Sequence, residues 1–241
     1  MKNSNFTFKD ILNSQDLNKI DCNFFSKFIL ISLAWPFTWL LLKCKITGNQ
    51  ATLIRLSFFL FAIFLVFFSY NYLAYFFLYL SLIFDYVDGQ ICRVTNTASY
   101  FGKFFDGLVD SIFETTFPII IALSVYNYTN DKEIIIWGLL SAYFNYAYLY
   151  LIIRYSFFLN TVNKQETNYN KIISYITGKM LSDYYDFKYF SFLIFCLFKK
   201  ELYFVYLITI LNITIFFSLF IIKILKSYKF FNIRRKSKSQ K

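Results

Sequence analysis

Asp85-Tyr86-Val87-Asp88-Gly89-Gln90-Ile91-Cys92-Arg93, then eight residues, then Gly102-Lys103-Phe104-Phe105-Asp106-Gly107-Leu108-Val109-Asp110, is the stretch that decides how the chain reads. It holds four of the fourteen acidic residues, inside a run that is apolar on both sides. Asp85 and Asp88 are spaced i, i+3, and Asp106 and Asp110 are spaced i, i+4, so on helices each pair shares one face. Two helices joined by the short link 94–101 can bring the four carboxylates to one point. Crowded like charges do not share a site unaided. Hard oxygen ligands without His or Cys suit Mg²⁺ or Mn²⁺. Gly89 and Gly102 leave room for close approach, and Arg93 offers a planar donor fork suited to phosphate. The combination points to phosphoryl chemistry.

The spacing resembles the signature of the CDP-alcohol phosphatidyltransferases (CDP-alcohol phosphotransferases), Asp-x2-Asp-Gly-x2-Ala-Arg-x8-Gly-x3-Asp-x3-Asp. Asp85, Asp88, Gly89, Arg93, Gly102, Asp106 and Asp110 match, and Cys92 stands where the family has Ala. Cysteine is also small, so close packing there is expected to survive. The strict match covers 26 residues, about a tenth of the chain. A second element, Ile46-Thr47-Gly48-Asn49-Gln50-Ala51-Thr52, resembles the family's Thr-Pro-Asn-x-x-Thr, with Gly48 in place of Pro, a departure expected to loosen the turn. Thr47 or Asn49 can cap the helix that follows.

Composition places all of this in a membrane. Of the 241 residues 58% are hydrophobic, with two Pro and six Gly, and the apolar residues come in long runs. Net charge is 25 − 14 = +11, which in a membrane protein reads as cytoplasmic flanks and contact with anionic lipid, not nucleic acid. The 24% aromatic share follows from a general bias toward Phe, Tyr, Ile, Lys and Asn and carries no functional weight. Histidine is absent, which excludes a Ser-His-Asp triad, a His-ligated zinc site, a phosphohistidine and the lipid synthases that use catalytic His. Cys22, Cys44, Cys92 and Cys196 lack CxxC spacing and read as reduced structural thiols. The first 23 residues are polar with both charge signs, unlike a cleavable signal peptide.

The expected fold is all-α, an integral membrane bundle of about six transmembrane helices with an N-terminal interfacial helix. Residues 1–45 form a cytoplasmic lead and interfacial helix, the latter over 24–42 with Lys27 and Pro36 inside it. Residues 46–225 form the membrane domain, and 226–241 a basic tail. Spans are expected at 53–70, from 72 into the motif, at 102–128 with a kink at Pro118, at 133–159, at 187–198 and at 202–225, with a polar loop at 160–183. At ~1.5 Å per residue, Asp85 falls about 20 Å into its helix, near the far edge of a ~30 Å core. The bias of Lys and Arg in the loops puts both ends and the motif on the cytoplasmic side; a bacterial inner membrane is the expected location.

The resemblance implies that Asp85, Asp88 and Asp106 hold two divalent ions, Mg²⁺ or Mn²⁺, with Asp110 shared or adjacent and acting as the base for the incoming alcohol. It implies that Gly89, Cys92, Arg93 and Gly102 form the CDP side, and a homodimer is a further implication. The donor is expected to be CDP-diacylglycerol and the acceptor a small polar alcohol such as glycerol 3-phosphate, serine or an inositol phosphate, with a CDP-linked head group and a lipid acceptor as the alternative. An ion or proton transporter built on intramembrane carboxylates is the competing class. Glu114 continues the Asp106/Asp110 face and reads as a paired neighbour of the site more readily than a ligand. Arg154 reads equally as an acceptor-phosphate contact or a positive-inside anchor. Lys164, Lys171 and Lys179 read as a solvated loop, Arg55 as a membrane-edge anchor, and Arg234-Arg235-Lys236 as topology and lipid-surface charge.

Overall fold

A computed structural model describes residues 8–13, 29–161 and 168–239. Within them every element is a helix: α1 (Phe8–Asn13), α2 (Ile31–Lys43), α3 (Gly48–Phe67), α4 (Asn71–Thr95), α5 (Tyr100–Thr129), α6 (Lys132–Thr161), α7 (Asn168–Leu197) and α8 (Glu201–Ser239). Most of the polar lead, including Cys22 and Lys27, lies outside the described residues, as do Lys164 and the side chains of Lys171, Arg234, Arg235 and Lys236.

The helix ends follow local chemistry. Thr47 caps α3 in a capping box: its Oγ1 accepts from Gln50 N, and its own N–H donates to Gln50 Oε1 at 2.9 Å. The turn that Gly48 was expected to loosen is therefore closed. Between helices the chain reverses through Lys45, Ser69, Asn96, Asn130 and Lys199, all at positive φ. After α3, Tyr70 N donates to Leu65 O and Ser69 N to Val66 O, both at 3.0 Å, the paired bonds of a Schellman turn. The tight reversal at Ser69 lays α4 antiparallel beside α3.

Among the described residues, four helices are long and apolar enough to cross a membrane, Gly48–Phe67, Tyr100–Thr129, Lys132–Phe158 and Glu201–Tyr228. Their outward residues include Leu53, Leu60, Phe64, Leu139 and Phe217, all exposed, a face that suits acyl chains and not water. α4 is 25 residues long but carries Asp85, Asp88 and Arg93. α7 differs from the expectation: it is one helix of 30 residues, so the polar stretch expected as a loop is helical over 168–183. Residues 168–183 contain no Pro and one Gly, and Ile172, Ile173 and Ile176 recur at helical spacing.

The chain folds as two compact units, Met1–Phe113 with Lys171–Lys200, and Glu114–Asn170 with Glu201–Lys241. In the first, α3 and α4 pack as a hairpin, with Phe58 edge-on to Phe84 at 4.9 Å. α2 is tied to α4 through Gln90, which accepts from Thr38 Oγ1 at 2.6 Å and donates to Ile31 O at 3.3 Å. The end of α7 closes the other flank: Tyr79 Oη donates to Tyr189 O at 2.9 Å, and Tyr75 meets Phe192 edge-on. In the second unit α6 and α8 run parallel, their contacts rising in step: Thr209 Oγ1 to Trp137 O at 3.0 Å, Asn212 Nδ2 to Ser141 Oγ at 2.8 Å, and Phe144 against Phe216 at 5.5 Å. Gly138 on α6 lies so close to α5 that an added Cβ would collide with Ala122. α5 continues as helix through Pro118.

Candidate active site

Three helix segments of the first unit build the site: the end of α4 and the starts of α5 and α3. Asn96, in the left-handed region with φ 52°, ends α4, and Gly102 N donates to Ser99 Oγ at 3.0 Å as α5 begins. Asn49, at the start of α3, lies over Gly102: a Cβ there would come within 2.8 Å of Asn49 Oδ1. Gly102 thus serves helix approach.

Asp85 from α4 and Asp106 and Asp110 from α5 each direct a carboxylate oxygen to one place, the three atoms lying within 4.8 Å of one another. Between them sits a residue the sequence reading had put at the membrane edge. Arg55 Nη1 is 2.5 Å from Asp85 Oδ1 and 3.2 Å from Asp106 Oδ1, and Nη2 is 2.7 Å from Asp110 Oδ1. The expectation of an edge anchor is corrected: Arg55 is 2% exposed, whereas the three carboxylates are 32–45% exposed. The fork enters from the protein interior, over the ring of Phe113 at 5.8 Å, and leaves the outer side of the acids open. Asp88 is not in this group. It is 6% exposed and accepts from Thr52 Oγ1 at 2.6 Å. Gly48, Thr52 and Arg55 share one buried face of α3, so the whole start of that helix serves the acid cluster.

Charge counting tests whether divalent ions fit. The three clustered carboxylates carry −3 when ionised and Arg55 returns +1, which leaves −2 in a partly exposed oxygen-only donor set, with the buried Asp88 beside it. That excess suits hard divalent cations accompanied by an anionic phosphate. We expect Arg55→Gln to destabilise the protein by about 1–3 kcal/mol, below the ~3–5 for breaking a fully buried pair because the carboxylates keep water. Thermal unfolding in detergent checks this, and Arg55→Lys, a point charge without the fork, is expected to recover only part of the loss.

The remaining motif residues hold the backbone frame. Gly89 faces the Arg93 guanidinium, whose Nη1 would lie 3.2 Å from an added Cβ. Cys92 explains the Gly at 48. A Cβ at Gly48 would collide with Cys92 Sγ and come within 3.3 Å of Asp88 O. The two departures from the family pattern therefore meet in space: the larger side chain on α4 fills room that glycine leaves on α3. Gly48→Ala is expected to cost about 1–3 kcal/mol through overpacking, and Cys92→Ala in the same chain is expected to return most of it. A double-mutant cycle in thermal stability checks the coupling; additive losses would separate the two positions.

With this geometry in hand, comparison with known proteins is decisive on family. The family model described as CDP-alcohol phosphatidyltransferase matches residues 45–198, well over half of the chain. The chain belongs to this family. As a CDP-alcohol phosphatidyltransferase family member it is a membrane phosphotransferase of phospholipid synthesis, a transferase of substituted phosphate groups. A search of curated proteins returned no match. The matched segment contains α3, α4, α5, α6 and α7, and so every side chain of the site. Glu114 and Arg154 belong to the second unit; the backbone carbonyl of Glu114 accepts from Asn145 Nδ2, and Arg154 stands over Tyr150 and Phe157.

Proposed function

We propose that this protein transfers a phosphatidyl group from CDP-diacylglycerol to a small polar alcohol, with release of CMP. The observation that carries the reading is the convergence of Asp85, Asp106 and Asp110 around Arg55, with Asp88 one turn from Asp85. Two Mg²⁺ or Mn²⁺ ions, held by Asp85, Asp88 and Asp106 with Asp110 alongside, would supply positive charge to the donor pyrophosphate and to the departing CMP. Arg55 holds three of the carboxylates in place, so the acids need not reorganise during the reaction. Thr52 fixes the orientation of Asp88 from the α3 side. Asp110 is the proposed base: it takes the hydroxyl proton of the acceptor as that oxygen bonds to the phosphorus bearing the donor's alcohol, and the bond from this phosphorus to CMP breaks. Gly89, Cys92, Arg93 and Gly102 form the proposed CDP side. Six spans, with α4 and α7 added to the four apolar helices, and a cytoplasmic site complete the reading, since Lys and Arg are more numerous in the loops and tail on that side.

Membranes containing the protein, supplied with CDP-diacylglycerol, Mg²⁺ or Mn²⁺ and a panel of labelled alcohols, test it. CMP release with one acceptor is the expected result. Release only with a CDP-linked head group and a lipid acceptor would reverse donor and acceptor, and no CMP with any pairing would overturn the reading.

A further inference from the structure

We propose that Asn145 on α6 mends α5 at Pro118, and is thereby a positioning residue for the acids that α5 carries, Asp106 and Asp110. In an α-helix the N–H of residue 118 donates to the carbonyl of residue 114. Proline has no N–H, and its ring crowds that same carbonyl. The carbonyl that Pro118 leaves without its helical donor is Glu114 O, and this is the atom to which Asn145 Nδ2 donates. The sequence predicts a kink at Pro118, yet α5 runs as one helix from Tyr100 to Thr129. Inside a bilayer no water is at hand for a freed carbonyl, so a neighbouring helix takes that part.

α6 is shaped for it. Gly138 and Asn145 are spaced i, i+7 and lie on one face of the helix. At Gly138 the backbones come so near that an added Cβ would collide with Ala122 and lie 3.2 Å from Pro118 O. Two turns on, the same close approach lets a side chain as short as Asn reach the main chain of α5. Asn145 is fully buried, and its Oδ1 has no hydrogen-bond partner among the described residues. An amide buried with its acceptor unmatched is costly, and a leucine of similar size would fill the space without that cost. Only the donor half of the side chain is used, which makes the Glu114 bond the reason for an asparagine here. Asp110 lies one turn before Glu114 in α5 and Asp106 two turns before it, so a bend at Glu114 would turn both carboxylates. The catalytic consequence rests on the reaction proposed above; the helix repair does not.

Suppression tests it, with Asn145→Leu, Pro118→Ala and the double variant in the full-length protein. Pro118→Ala returns the missing N–H, so Asn145 should become dispensable. Hydrogen exchange of the α5 amides over 114–122 is expected to quicken about tenfold in Asn145→Leu, the effect of leaving a buried carbonyl unpaired. In the double variant it is expected to match Pro118→Ala. The kcat for CMP release should fall about tenfold in Asn145→Leu with the donor KM little changed, because the displaced group is the base and not the CDP side, and should recover in the double variant. Equal losses in both backgrounds would make Asn145 a packing residue and overturn the proposal, as would an unchanged Asn145→Leu. Suppressed exchange with a wild-type kcat throughout would overturn the positioning role. If the wild type releases no CMP with any pairing, the proposed reaction falls, and the exchange pattern alone decides for or against the repair of α5. If Asn145→Leu does not fold, a folded double variant is the supporting result, and a double variant that also fails overturns the proposal.

Discussion

Asp110→Asn is expected to lower CMP release by about 10²–10⁴-fold, the range for loss of a positioned general base, while the protein still inserts and folds. The substitution keeps the shape of the side chain and removes its capacity to take a proton. Arg55 loses one of three partners and keeps Asp85 and Asp106, so thermal stability should move little. The measurement is a pair, initial rates of CMP formation with saturating donor and acceptor, and the unfolding temperature of the purified variant. A rate within tenfold of wild type, in a protein of normal stability, would remove Asp110 from the role of base.

Removal of divalent ions should be as severe. Membranes treated with EDTA are expected to lose CMP release entirely and to regain it on adding Mg²⁺ or Mn²⁺. The argument is the unbalanced charge: Arg55 offsets one of four carboxylates, and an incoming pyrophosphate adds more negative charge to the same place. Hard cations also bind the folded site and not the unfolded chain, so saturating Mn²⁺ should raise the unfolding temperature; at 100 times the Kd the stabilisation is about 2.7 kcal/mol. Full activity in metal-free membranes would sink the two-ion mechanism, whereas a restored rate without thermal stabilisation would point to ions that arrive with the substrate.

The acid cluster was legible because its spacing is local. Asp85 with Asp88, and Asp106 with Asp110, lie within one helical turn of each other, and a short link joins the two helices. Which acids end up together was not legible. Asp85 and Asp88 share a face by spacing, yet Thr52 takes Asp88 and Arg55 takes Asp85, a sorting done by a neighbouring helix whose contacting residues lie 30 and 36 positions away in sequence. Arg55 carried a signal that could have found it. It is the sole charged residue in the apolar run 53–70, and an intramembrane charge is a functional candidate by default. It also continues the Gly48–Thr52 face by helical spacing. The helix over 168–183 was missed because polarity was read as loop, although no breaker interrupts it. The six-span count rests on α4 and α7, whose charges place them outside simple hydropathy.

The contact between Gly48 and Cys92 also limits which residues the two positions can exchange with relatives. Measured against the family pattern of Pro and Ala at these positions, the two residues are not interchangeable one at a time. A cysteine on α4 facing a side chain at position 48 meets it at collision distance. With the thiol in place, any side chain at 48 meets it at collision distance, so the two positions constrain each other. Transplanting Cys92 alone into a relative that keeps the proline should therefore be harmful there, although the same residue is harmless here.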